Sequence, residues 1–342
     1  MWSERQVEAV HHAFDLRLML GRLVSISPMQ QINLGKSTLK VTRLSYGCWR
    51  IAGTWDSNRV TPQARTDGVQ AIITAHESGY TFFDLADIYC DGVAEEIFGQ
   101  ALLKSKGLRR AAVIATKCGI RPPNTPESGT PYRYDFSSNY IIKSCNSSLK
   151  RLGVDCIDLY QLHRPDYLMD PTEVAMAFTK LKKAGKVKHF GVSNFKPSQV
   201  TTLQSALKQP LLVNQVEISL SQLGSYEDGT LDQCISENIT PMAWSPLGGG
   251  HLGDGAKQVL PSQEGYRTGK IRRALDKLAK EFGVSRSAIA LAWLLRHPAG
   301  IVPVVGTSRP ERIKELTAAD AIELTREQWY SLFIAARKPD LP

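Results

Sequence analysis

The 342-residue chain is 42% hydrophobic and 22% charged, the proportions of a globular protein, and no run reaches the ~18 apolar residues of a membrane span. Its formal charge of +9 comes from Lys and Arg scattered through most segments, which argues against a nucleic-acid surface and suits a small polyanionic ligand. Six cysteines (Cys48, Cys90, Cys118, Cys145, Cys156 and Cys234) form no CxxC pair or disulfide-like framework, pointing to reduced thiols, a cytoplasmic setting and no metal site.

Residues 1–28 read as a poorly ordered or weakly helical extension, too broken for a secretory signal and, with Glu4, Glu8 and Asp15, too acidic for a mitochondrial presequence. From residue 29 to 342 the chain reads as a single α/β domain. Short β-branched or aromatic runs predict strands at LSYG (44–47), TFFDLA (81–86), AVIATK (112–117) and IDLYQLH (157–163). Four more follow at HFGVSN (189–194), LVNQVE (212–217), PMAWSP (241–246) and IVPVVGT (301–307). Between them, segments such as SNYIIKSCNSSLKRLG and RTGKIRRALDKLAKEFG place apolar residues three and four apart and end at Gly, as helices do. A βα unit repeated eight times in one chain of this length predicts a closed (β/α)8 TIM barrel. The polar stretch Arg121–Ser138 is too long for a tight turn and reads either as a ligand cover or as a loose surface loop.

Polar residues fall at the ends of these strands: Asp84 and Tyr89 after the second, Lys117 at the third, His163 at the fourth. Ser193 and Asn194 follow at the fifth, Gln215 in the sixth, Trp244 and Ser245 at the seventh, Gly306 and Thr307 at the eighth. In a (β/α)8 barrel these ends meet on one rim, where such enzymes place their sites. Singly each has a packing explanation; together they fit carbonyl reduction, in which hydride delivery leaves charge on oxygen and calls for a proton donor. Tyr89 is the candidate acid. Bringing its phenol to neutrality asks for about 4 kcal/mol, and an ammonium about 4 Å away supplies that much only at an effective dielectric of about 20. Lys117 is therefore expected to lower the phenol, Asp84 to pair with Lys117, and His163 to direct the carbonyl oxygen. Asp87 reads as a loop or cap residue.

With these residues in view the sequence resembles the aldo-keto reductase family from about Leu34 to Ala335. The resemblance rests on FDLADIYCDGVAEEIFG, ATKCG, SLKRLGVDCIDLYQLHRPD, GKVKHFGVSNF, VNQVEISL, AWSPLGGG and PVVGTSRPERIKE in that order. AWSPLGGG, with Trp, is similar to a bacterial oxidoreductase branch of the family. The resemblance implies a barrel that binds NADP(H), less often NAD(H), without the G-x-G-x-x-G fingerprint, which this chain lacks. It places the catalytic tetrad on Asp84, Tyr89, Lys117 and His163, carboxamide contacts on Ser193, Asn194 and Gln215, and the nicotinamide-stacking ring on Trp244. Gly47, Cys48 and Trp49 would approach the nicotinamide; Ser245, Leu247 and Gly249 would line the pyrophosphate. Gly306, Thr307, Ser308 and Arg309 open a helix suited to phosphate, followed by Arg312 and Glu315, and the arginines tip the choice toward NADP(H). Two departures stand out: Leu316 where many members carry an adenine-contacting asparagine, and Cys48 for a common threonine. The alternative to a reductase of small carbonyl compounds is a nucleotide-binding regulatory or scaffold subunit with little turnover. The loops 121–138 and 248–266 would shape the substrate pocket, and no heptad points to a subunit partner.

Overall fold

A computed structural model describes residues 28–254 and 267–337. The expected extension lies outside the described residues up to residue 27, as do residues 255–266 of the segment after the seventh predicted strand. None of the described helices is long and apolar enough to cross a membrane.

Twelve strands are present among the described residues: β1 (Gln31–Asn33), β2 (Lys40–Thr42), β3 (Ser45–Gly47), β4 (Phe82–Asp84), β5 (Val113–Cys118), β6 (Ile120–Arg121), β7 (Arg133–Tyr134), β8 (Ile157–Leu162), β9 (Val187–Ser193), β10 (Leu211–Glu217), β11 (Thr240–Trp244) and β12 (Val302–Val305). Eight of them, β3-β4-β5-β8-β9-β10-β11-β12, form a closed parallel barrel. Closure is made where Val304 and Val305 of β12 pair with Ser45 and Tyr46 of β3. These are the eight predicted strands, most of them shorter at their ends than the apolar runs that signalled them.

Strand periodicity sorts the side chains. Successive residues of a strand face opposite sides, so Phe82, Ala115, Leu159, Val213, Met242 and Val302 pack together within the barrel. Their neighbours Phe83, Ile114, Tyr160 and Phe190 pack in the outer core, against the helices. Two residues further along the same strands, the inward positions become Asp84, Lys117, Gln161, Gln215 and Trp244. The apolar layer is thus the floor on which the polar rim stands.

The helices start and stop where local chemistry dictates. Ser137 accepts from Tyr140 N to cap Ser138–Leu152, which ends at Gly153 in the left-handed region. Asp170 accepts from Thr172 N and Glu173 N at the head of Pro171–Lys183, where proline occupies the first turn.

Below the barrel, β1 and β2 pair antiparallel. Leu34, at their turn, is completely buried against the barrel-floor residues. Gly35 follows with φ +51 and donates its N–H to Thr240 Oγ1 at 2.8 Å. A Cβ at Gly35 would sit 2.6 Å from the Leu212 carbonyl oxygen. Gly35→Ala is therefore expected to cost about 1–3 kcal/mol of stability, through both strain and overpacking, read as a lower urea midpoint with an unchanged slope.

Candidate active site

Asp84 and Lys117 occupy inward positions of neighbouring strands, and both are almost wholly buried, at 2% and 0% exposure. Lys117 Nζ donates to Asp84 Oδ2 at 2.8 Å, to the Leu85 carbonyl at 2.7 Å and to Tyr89 Oη at 3.2 Å. The ammonium's three protons thus have three partners. Gln215 Nε2 donates to Asp84 Oδ1 at 2.8 Å, so the buried carboxylate is held from two sides and the cost of desolvating it is offset. His163 lies edge-on to Tyr89, ring centres 5.9 Å apart. The topology has brought five side chains from four strands and their following loops to one point.

Electrostatics at that point correct one expectation. The Tyr89 phenol sits above the ordinary tyrosine value: burial raises it, Lys117 lowers it, and Asp84 raises it again. The lysine's lowering of the phenol is outweighed, first by desolvation and then by Asp84. Lys117 itself stays protonated; burial pulls it down, but Asp84 and Tyr89 outweigh that and hold it above the usual lysine value. Burial, then Lys117 and Arg164, push His163 well below the usual imidazole range, so it is neutral at pH 7. Around the rim, then, stand a protonated phenol, an ammonium and a neutral imidazole.

Asp87 lies in the turn before Tyr89, as a loop residue, but in unusual surroundings. Its Oδ1 is buried without a partner among the described residues. Burial and the nearby Glu95 carboxylate, against Arg151, push the group up to about 8. It is a half-buried loop carboxyl whose surroundings disfavour its charge.

A cavity of about 860 Å³ opens above this cluster. Asp84, Tyr89 and His163 form part of its wall, and Lys117 lies beneath. Ser193, Asn194 and Gln215 line it next, tied to one another: Ser193 Oγ donates to the Gln215 carbonyl at 2.8 Å, and Asn194 Nδ2 donates to Ser193 Oγ at 2.9 Å. Trp244 Nε1 donates to Asn194 Oδ1 at 3.0 Å, which fixes the indole in the wall. Ser245, Leu247 and Gly249 continue the lining. At the far end stand Gly306, Thr307, Ser308 and Arg309, with Arg312, Glu315 and Leu316 beyond them. Gly47 and Trp49 border it as well; a Cβ at Gly306 would lie 2.7 Å from Trp49 Nε1, so a side chain there would have to displace the indole. Cys48 alone among the expected cofactor residues is absent from this lining: it is completely buried, and its weak contact is with the Tyr46 carbonyl at 3.9 Å.

Other lining residues were not anticipated. Trp55, 55% exposed, packs against Trp49 and edge-on to Tyr89. Arg164 lies over Trp244 at 5.7 Å and borders the cavity; its place directly after His163 was the available signal. The long stretch Arg121–Ser138 includes one strand of the β6–β7 hairpin, and Tyr132 from it reaches the cavity, so at least part of this stretch covers the pocket. Immediately after Tyr89 the backbone is left-handed at Cys90 (φ 50), Asp91 (φ 52) and Gly92 (φ 89). For Cys90 this costs roughly 1–2 kcal/mol, less for Asp91, which tolerates the region better.

This geometry agrees with the relationships of the chain. The family model described as Aldo/keto reductase family matches residues 43–335. The chain is 41% identical over 311 residues to a 6-dehydroglucose reductase from Agrobacterium fabrum, covering 90% of this chain and 98% of that protein. It is 38% identical over 317 residues to the oxidoreductase YdhF of Escherichia coli, covering 92% and 100% respectively. Among solved structures, the glycerol dehydrogenase AKR11B4 from Gluconobacter oxydans superposes with a TM-score of 0.78 at 26% identity, over 88% of this chain and 93% of that one. A parallel barrel with this rim is the frame of an oxidoreductase, and the chain belongs to the aldo-keto reductase family.

Proposed function

We propose that the protein reduces an aldehyde or ketone to an alcohol with NADP(H), Tyr89 delivering the proton. The observation that carries this reading is the hydrogen-bonded series Asp84–Lys117–Tyr89 at the base of a cavity whose other end is edged by Arg309 and Arg312. The wall suits a dinucleotide. Gln215 gives its N–H to Asp84 and keeps Oε1 without a protein partner among the described residues, so it can accept from a carboxamide. Ser193 and Asn194 flank it, and Trp244 offers a fixed ring. Arg309 and Arg312 suit a 2′-phosphate, and Leu316 replaces an amide with apolar packing near the nucleoside. The dinucleotide supplies the hydride. The chain's own residues do the rest: His163, neutral, donates a hydrogen bond to the carbonyl oxygen, Tyr89 transfers its proton there, and Lys117 stabilises the tyrosinate left behind. Asp84 holds Lys117 in place throughout.

A relative's name, 6-dehydroglucose reductase, together with the charged groups Arg50, Asp91 and Arg164 on the cavity wall, favours a sugar-derived aldehyde as substrate. The test is consumption of NADPH and of NADH against a panel of carbonyls. NADPH should be preferred, and Arg312→Ala should raise the KM for NADPH about tenfold or more while leaving the NADH value nearly unchanged, as expected for loss of a charged hydrogen bond. Preference of the wild type for NADH would overturn the cofactor assignment.

A further inference from the structure

Asp91 is a carboxylate on the cavity wall to which the reduction step gives no role. It lies two residues from Tyr89 in the same short turn, and the backbone there keeps three consecutive left-handed conformations, two of them at non-glycine residues. Such strain persists only where the surroundings hold it, and it collects at functional positions. One tie is on the page: Ser57 Oγ donates to Asp91 Oδ2 at 2.8 Å. That bond links the Tyr89 turn to the segment carrying Trp55, the exposed indole that packs against Trp49 and edge-on to Tyr89. Asp91 Oδ1 has no protein partner among the described residues, and the side chain is exposed on the cavity wall.

We propose that Asp91 is a specificity-determining residue that accepts hydrogen bonds from hydroxyl groups of a polyhydroxylated aldehyde, while the Trp55 indole packs against the C–H face of the same molecule. This rests on the reductase reading above and adds to it the group that reads the substrate. A carboxylate with one oxygen tied and one free accepts from hydroxyls and gains nothing from an alkyl chain. An alkyl aldehyde bound at the same place would strip water from Asp91 without replacing it, which costs binding. The short, strained link to Tyr89 sets the distance between the hydroxyl-reading group and the proton donor.

The test compares the C6 aldehyde of glucose with hexanal, an aldehyde of equal carbon count lacking the hydroxyls, at saturating NADPH. Two variants keep the turn: Asp91→Asn, since asparagine enters the left-handed region readily, and Asp91→Gly, which adopts it without strain. The selectivity, taken as kcat/KM for the sugar aldehyde over that for hexanal, is expected to fall about tenfold in both, as for a lost hydrogen bond to a charged group, and mainly through KM for the sugar. A ratio within about twofold of wild type in both variants would overturn the inference. So would an equal fall in kcat for both aldehydes at constant ratio, which would make Asp91 merely a support for Tyr89. If the wild type reduces neither aldehyde nor any other carbonyl, the reductase reading itself fails and carries this inference with it.

Discussion

Tyr89→Phe is expected to lower kcat for carbonyl reduction by about 10²- to 10⁴-fold, the usual contribution of a positioned general acid. The substitution removes one atom. The ring keeps its edge-on contacts with His163 and Trp55, and Lys117 keeps two of its three acceptors, Asp84 and the Leu85 carbonyl. Stability should therefore change by only about 1 kcal/mol, and NADPH binding, followed by quenching of tryptophan fluorescence, should persist. Loss of turnover with retained binding would isolate the proton-transfer step. Full activity in this variant would reject Tyr89 as the acid. Because burial holds the phenol above its ordinary value, it keeps its proton at neutral pH, as the proposed role requires.

The second large effect belongs to Lys117. In Lys117→Met the Asp84 carboxylate stays buried with only the Gln215 amide as partner, and an uncompensated buried charge of this kind costs about 3–5 kcal/mol. A lower urea midpoint and near-complete loss of turnover are expected together. The two effects separate in the double variant with Asp84→Asn, which removes the stranded charge: much of the stability should return and none of the activity. A single variant within about 1 kcal/mol of wild type would contradict the buried pair. The pH dependence has a definite sign. Lys117 has a folded-state value above its unfolded one, so the pair's contribution is complete below the unfolded lysine value near about 10.4 and is lost as pH rises through the folded value.

The barrel and its rim were legible because two periodicities agree. Runs such as IDLYQL and LLVNQVE alternate inward and outward, and the inward positions pass from apolar to polar toward the end of each run. Counting two residues on from Phe82, Ala115 and Val213 reaches Asp84, Lys117 and Gln215, which the structure brings together. What escaped the sequence was whatever depends on enclosure. The β1 and β2 hairpin is built from three-residue strands, QIN and KVT, too short and polar to show a pattern. Asp87 looked like the other loop acids because its surroundings are set by tertiary packing, which encloses it and brings Glu95 from the next helix and Arg151 from one far along the chain beside it. Tyr89 was expected to fall in pKa because a lysine's attraction can be estimated from type and spacing, whereas desolvation requires knowing how much water remains. Trp55, on the cavity wall, lies outside every strand run and motif that marked the rest of the rim.

The stopper that Leu34 makes at the foot of the barrel has a kinetic corollary. With the barrel packed from below, both reactants on the proposed reading reach Tyr89 from the rim side. Whichever of the two is covered by the other would have to come in first and leave second, so turnover would run as a queue.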